Sequence, residues 1–206
     1  MASEIKVDTI SENTAANGVT IDGVLLKDSK IGGTITIPGS TGTLALTSDI
    51  SAGGLDGAQI FRLTTNTNSN TYLKAWEVPD DSPNQGTIGS YVSVNTGTGY
   101  FSFSATGYYL VLTTMQFFYN GSQTIFTFHR FSTDGFSTYD DLAGLGYGSG
   151  YSSGGKTTAG ISLLDITNTT NDKFAVYGSC GDTSNYVQGN TNYNMSTVAF
   201  LRIGDT

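Results

Sequence analysis

The sequence predicts an all-β protein in two parts, a trimeric stalk of short strands followed by an antiparallel β-sandwich (jelly roll) head. The chain of 206 residues contains 12 tyrosines, 11 phenylalanines and many β-branched residues, all of which favour strands. Strong helix formers are thinly spread by comparison. Short alternating segments are separated by turn signals, and 27 glycines supply much of that turn chemistry. Together these observations favour strands throughout the chain.

A shift in composition marks the boundary between the two parts. Residues 1–56 contain no aromatic residue, whereas every Tyr, Phe and Trp lies in residues 57–206. Residues 51–54, with the sequence SAGG, lie beside this shift and are typical of a flexible joint. We therefore predict a stalk or particle-anchoring segment over residues 1–56 and a jelly-roll head over residues 57–206.

The predicted stalk consists of very short strands. Apolar and polar residues alternate in residues 5–10, 18–22, 24–27, 33–37 and 42–46. Turn formers such as Asn17-Gly18 and Asp22-Gly23 separate these segments. Strands this short cannot bury a core within one chain, so we predict that three copies intertwine. A partly ordered tail is the alternative.

The head has longer predicted strands at regular spacing, which indicates a sandwich or jelly roll. They cover residues 99–104, 108–118, 123–131, 160–164, 173–177 and 197–203. Asn120-Gly121 follows the second of them and predicts a hairpin to the third.

An uncharged stretch in the head predicts a subunit interface. No Asp, Glu, Lys or Arg occurs between Ser82 and His129, and the strand over residues 108–118 is apolar or neutral on both faces. One face can fill the core, whereas the other needs a second cover, which a homotrimer would provide. The interface candidates are Tyr109, Val111, Met115 and Phe117. A sheet covered by its own loops is the alternative.

The charge and the rare residues exclude several functions. A net charge of −8 argues against binding of nucleic acid, and no apolar run is long enough for membrane insertion. His129 and Cys180 are the single histidine and cysteine, so a zinc site of usual composition is excluded. We interpret His129 as structural or interfacial and Cys180 as a free thiol, and we expect no enzymatic activity.

Acidic residues form two pairs, Asp80-Asp81 and Asp140-Asp141, and Asp134 lies near the second pair. Neighbouring acids in glycine-rich or proline-rich loops are typical of solvated turns, so we expect no cofactor. Calcium is the alternative ligand, because it takes several oxygens from flexible loops.

Two loops rich in Tyr, Asn, Ser and Gly are candidates for recognition. They span residues 146–155 and 182–194, and such loops combine rigid aromatic area with adaptable hydrogen bonding. The candidate ligand-binding residues are Tyr147, Tyr151, Tyr186, Asn190 and Tyr193. Ordinary exposed connections are the alternative.

The head resembles the complement-globular-head and tumour-necrosis-factor-like jelly rolls. The match is carried by residues 99–118 (GYFSFSATGYYLVLTTMQFF), by residues 160–164 with 171–176, and by the final strand over residues 196–203. The resemblance covers roughly residues 58–204 and implies a tight three-fold head.

The first part resembles a segment of bacteriophage tail and head fibre proteins, through residues 17–28 and 42–50. This resemblance implies a trimeric virion fibre or spike, made in the host cytoplasm and located in the virion. Residues 1–56 would then contact other virion proteins, and the head would attach to a host-surface glycan or protein. A capsid-decoration, cement or adaptor protein is the alternative, and a polysaccharide-degrading spike is a third interpretation.

Overall fold

The computed structural model describes residues 19–21, 24–27, 30–32, 55, 57–79, 87–120, 124–147 and 154–205. The chain divides into two compact units, Met1–Gly54 and Leu55–Thr206. The described part of the first unit is a three-stranded antiparallel sheet of β1 (Val19–Ile21), β2 (Val24–Lys27) and β3 (Lys30–Gly32).

The first two of these strands lie within predicted strands, and their register places Ile21 opposite Val24. Asp22-Gly23, the turn predicted between them, lies outside the described residues. The alternating pattern did not predict β3. The other predicted strands, over residues 5–10, 33–37 and 42–46, lie outside the described residues.

The second unit is an antiparallel sandwich of two sheets, which confirms the predicted fold class for the head. Its strands are β4 (Gly57–Leu63), β5 (Thr71–Tyr72), β6 (Trp76–Glu77), β7 (Val92–Asn95), β8 (Tyr100–Phe103), β9 (Gly107–Tyr119), β10 (Ile125–Ser132), β11 (Asp140–Tyr147), β12 (Gly154–Ile166), β13 (Lys173–Cys180), β14 (Tyr186–Val187) and β15 (Thr197–Gly204). Sheet I has the order β11-β10-β13-β8-β7, with β5 beside β13. Sheet II has the order β12-β9-β15-β4-β6, with β14 beside β9.

Aromatic side chains from both sheets fill the space between them. Phe101 of sheet I lies 5.2 Å from Phe61 and 5.0 Å from Phe200 of sheet II, measured between ring centroids. These distances suit edge-to-face and tilted ring packing, which adds to the hydrophobic gain of burial. The core is thus aromatic, as the high content of phenylalanine in the head suggests.

One face of the long strand β9 is buried in the core. Tyr109, Val111, Met115 and Phe117 point into the core, with at most 1% of each residue exposed. These are the residues predicted for the subunit interface, and the structure corrects that assignment. The sequence predicts two apolar faces, but it cannot tell which of them meets the second sheet of the same chain.

The predicted hairpin at Asn120-Gly121 is also corrected. The strands before and after it, β9 and β10, belong to different sheets and do not pair with each other. Instead, β9 pairs with β12 along its whole length and with β15 on its other side. A turn signal of two residues concerns only the local backbone conformation. The strand that pairs with β9 depends instead on which strands of the whole fold can bury their apolar faces together.

Two strands replace predicted loops. Asp140 and Asp141 begin β11, and β12 begins at Gly154 inside the predicted glycine-rich loop. The acidic pair remains exposed on β11, at the edge of sheet I. Among the described residues, no helix has the length and apolar character needed to cross a membrane.

Candidate functional site: the outward faces of the two sheets

The predicted recognition tyrosines do not form one site. Tyr147 packs against the buried Tyr119, with 4.8 Å between the ring centroids, and its hydrogen bond to Tyr119 raises the pKa of Tyr147. Tyr186 stacks on Phe118 at 4.9 Å. Because Phe118 and Tyr119 are neighbours in β9, their side chains point to opposite faces of the strand. Tyr147 and Tyr186 therefore lie on different sides of sheet II.

The remaining candidates have separate roles. The side-chain oxygen of Asn190 accepts hydrogen bonds from the backbone N–H groups of Asn192 and Tyr193, at 2.7 and 3.1 Å. This Asx-type turn occupies the Asn190 side chain within its own loop. Tyr193 is exposed at the same turn. Tyr151 lies outside the described residues. The assignment of these residues to ligand binding stays a prediction.

The outward face of sheet II is apolar and exposed. The exposed side chains on it are Tyr108, Leu112, Ile161, Leu163 and Ile203, with exposed fractions between 38% and 61%. We call this surface the apolar face.

The strand register makes the apolar face continuous. Leu112 lies between Ile161 of β12 and Ala199 of β15, and Leu110 lies between Leu163 and Leu201. On the far side of β15, Ala199 lies opposite Ile60 of β4. Since these residues are direct cross-strand neighbours, their side chains form one surface across four strands.

Charge occurs only at the margins of these cross-strand rows. Asp165 lies opposite Tyr108 at one end, and Arg62 lies opposite Thr197 at the other. Arg62 is buried, and its Nε donates to Glu77 Oε1 at 2.6 Å. The centre of the apolar face is therefore free of charge, and this arrangement suits burial against another apolar surface.

The outward face of sheet I has a different character. Arg130 extends outward from β10, and its guanidinium carbon lies 3.9 Å from the Tyr177 ring centroid and 4.1 Å from that of Tyr139. The Nε of Arg130 also donates to Asp141 Oδ1 at 2.8 Å. The cation is held by two ring faces and one carboxylate, an arrangement typical of Arg.

Further rings surround this arginine. We call the whole group the aromatic strip; it consists of Arg130 with Tyr72, Tyr100, Phe126, Phe128, Phe136, Tyr139 and Tyr177. Tyr139 is 46% exposed, whereas the other rings of the strip are half-buried. The aromatic strip was not predicted from the sequence, although the alternation of Phe126, Phe128 and Arg130 along one strand is a signal for it.

Two glycines of β11 make room for rings of the aromatic strip. A Cβ at Gly146 would lie 1.8 Å from Cδ1 of Phe126, so the Phe126 ring occupies the space of a side chain at residue 146. The same Cβ position at Gly144 would lie 3.4 Å from Phe128. The two phenylalanine rings are close to parallel, with 29° between their planes. They lie across the neighbouring strand and do not protrude from it.

A rigid loop holds Phe136 on the aromatic strip. Gly135 and Phe136 both have positive φ angles, 74° and 72°, and Phe136 stacks on Tyr100 at 4.1 Å. A left-handed conformation is unusual for a bulky residue and must be held by its surroundings. Asp134 supplies much of this support, because it accepts hydrogen bonds from Ser132 and from the N–H and hydroxyl groups of Thr138. The bonds from Thr138 and Ser132 lower the pKa of Asp134 to about 2.

His129 lies in the core and connects the two sheets. Its Nε2 lies 2.7 Å from Thr113 Oγ1 of β9, and its Nδ1 lies 2.8 Å from Ser162 Oγ of β12. Burial lowers the pKa of His129 to about 4. The imidazole is therefore neutral at physiological pH and out of reach of solvent, which suits a structural role.

Cys180, like His129, is buried. Burial raises the pKa of Cys180 to about 11, so its thiol is neutral and poorly nucleophilic at physiological pH. No three His, Cys, Asp or Glu side chains come together in a metal-binding arrangement within the part of the chain that the structure describes. Asp80 and Asp81 lie outside that part.

The fold can be compared with known proteins. No protein-family model matches the sequence, and no curated protein matches it. A tumour necrosis factor of S. frugiperda, Eiger, superposes with a TM-score of 0.55 over 72% of this chain and 93% of its own, at 14% identity. Murine APRIL, solved at pH 8.0, superposes with a TM-score of 0.50 over 71% of this chain and 98% of its own, at 9% identity.

The head has a TNF-like jelly-roll fold. The resemblance of residues 58–204 to this class of jelly roll is therefore confirmed at the level of the fold. At such low identities the superposition describes architecture alone. The resemblance of residues 17–28 and 42–50 to phage fibre segments stays a prediction.

Proposed function

We propose that the chain is a non-enzymatic homotrimer whose TNF-like heads assemble through the apolar face. The observation that carries the proposal is the continuous, uncharged surface of sheet II around Leu110, Leu112, Ile161 and Leu163. Soluble monomers rarely expose a contiguous apolar surface that runs across several strands, so a second cover is expected. Domains with a TNF-like fold form homotrimers, which favours three copies of this chain as that cover.

The native mass of the full-length chain tests this proposal. Three copies of the 21.7 kDa chain have a mass of about 65 kDa, and we expect this value by light scattering coupled to size exclusion. The association should persist in high salt, because apolar burial, unlike surface charge pairing, is not screened. A stable monomer would contradict the proposal.

We further propose that the trimer is a fibre or spike of a bacteriophage particle, anchored through residues 1–56, with the head presented to the host surface. The support is the resemblance of residues 17–28 and 42–50 to phage fibre segments, together with the order of a short-strand segment before a compact head. The low share of charged residues, 13%, and the acidic balance argue against a nucleic-acid partner. The location in the virion follows from the same proposal.

Binding to cells distinguishes an attachment fibre from a cement or adaptor protein. Fluorescently labelled full-length trimer is incubated with a panel of bacterial strains, and retention after washing is measured by flow cytometry. An attachment protein is expected to label a subset of strains at submicromolar concentration, because three heads bind together. Failure to label any strain, combined with binding to purified particles that lack the protein, would favour the cement function.

A further inference from the structure

We propose that the aromatic strip on sheet I is a binding site for a neutral oligosaccharide. The proposal deepens the attachment function and rests on it, but it places the ligand on the outward face of a sheet, away from the tyrosine-rich loops. The chemistry of the ligand follows from the shape, charge and rigidity of the strip.

The shape of the strip suits a sugar ring. Phe126 lies over Gly146, and its ring therefore runs along the sheet surface. Phe128 follows at a centroid distance of 6.1 Å with a nearly parallel ring. The electron-rich face of an aromatic ring attracts the polarised C–H groups on the apolar face of a hexose. Two such rings that lie side by side can contact two consecutive sugar units.

The charge of the strip selects a neutral ligand. Asp141 compensates the charge of Arg130 through a 2.8 Å ion pair, and the whole chain carries a net charge of −8. An anionic glycan would meet long-range repulsion from this net charge, and Arg130, the cation of the strip, is already paired with Asp141. Asp141 is exposed, so its carboxylate can accept hydrogen bonds from sugar hydroxyls while the ion pair persists.

The strip is also rigid before any ligand binds. Phe136 is held in a left-handed conformation by the loop that Asp134 organises, and the Arg130 guanidinium lies between two tyrosine rings. A site of this kind loses little conformational freedom on binding, which favours affinity. Because the outward faces of the two sheets point away from each other, trimer assembly through sheet II leaves the strip accessible.

A glycan array tests the proposal with the full-length trimer. The array displays neutral hexose and N-acetylhexosamine oligosaccharides beside sialylated and phosphorylated ones, and the strongest ligand is then measured by titration calorimetry. We expect binding confined to the neutral set. Tyr139→Ala, which removes the exposed ring stacked on Arg130, should weaken binding at least tenfold, and Gly146→Ala should do the same by displacing Phe126.

Val78→Ala is the matched control, since Val78 is exposed and follows β6 of sheet II. It should bind as the unaltered chain does. Absence of neutral glycan binding, selective binding of anionic glycans, or unchanged affinity in Tyr139→Ala would each overturn the proposal. Loss of binding in Tyr193→Ala, with Tyr139→Ala unaffected, would also overturn it and move the site to the loops. A native mass near 65 kDa in any of these cases leaves trimer assembly in place, so the two proposals fail separately.

Discussion

Leu163→Lys is expected to lower the native mass of the protein from about 65 kDa to about 22 kDa. Leu163 lies exposed on β12, the edge strand of sheet II, beside Leu110 of β9 on the apolar face. In the proposed trimer the lysine would be buried against apolar side chains, where a charge without a partner costs several kcal/mol. The free-energy cost of burying three such charges around one axis exceeds the gain from burying three leucines, which is about 1.5–3 kcal/mol each.

The folding of the single chain should not change in this variant. The lysine of a monomer would be solvated, because the leucine it replaces is 60% exposed. Circular dichroism should therefore show unchanged strand content while light scattering shows the lower mass. Leu142→Lys is the matched control, because it introduces the same charge at an exposed leucine of β11 in sheet I, and it should remain trimeric. A trimer that persists in Leu163→Lys would show that the copies assemble through another surface.

His129 is expected to make the fold lose stability in mild acid. Burial holds its pKa near 4 in the folded chain, whereas in the unfolded chain the imidazole has its ordinary pKa of 6.5. Above pH 6.5 both states are neutral at this residue, so its contribution is constant. As the pH falls from 6.5 to 4, the unfolded chain takes up a proton that the folded chain does not. The free energy of unfolding should therefore decrease by roughly 3 kcal/mol over this range.

Replacement of the titrating group tests this expectation. His129→Gln keeps a polar side chain near Thr113 and Ser162 but does not titrate, so its loss of stability between pH 6.5 and 4 should be much smaller. Urea unfolding at several pH values measures the difference between the two proteins. The lowered pKa of Asp134 affects stability mainly below pH 4, and His129→Gln leaves this contribution unchanged, so it cancels in the comparison of the two proteins. An equal slope in both proteins between pH 6.5 and 4 would contradict the assignment.

The strand content of the head could be predicted from local patterns. The predicted strand over residues 108–118 became β9, and the segment over residues 197–203 lies within β15. Their alternation and aromatic content are properties of short windows, which a sequence shows directly. The uncharged stretch before His129 likewise predicts that both faces of β9 are covered.

The candidate sites depended on the tertiary structure to a greater degree. Tyr147 and Tyr186 belong to predicted loops of similar composition, yet they pack on opposite faces of β9. The aromatic strip joins residues from β5, β8, β10, β13 and the loop before β11, which are far apart in the chain. Residues that are brought together only by the order of the strands in a sheet do not form a contiguous motif in the sequence.

The amino-acid sequence by itself determined that the head of this protein is all-β, that the aromatic residues are confined to this second part, and that one strand has two apolar faces. Only the tertiary structure decided that Tyr109, Val111, Met115 and Phe117 lie in the core, whereas Leu110 and Leu112 lie outward beside Leu163 and Ile161. The physical reason is that alternation specifies two faces of a strand equally well. The choice between them is made by the second sheet, whose aromatic side chains fill the space over one face and leave the other exposed.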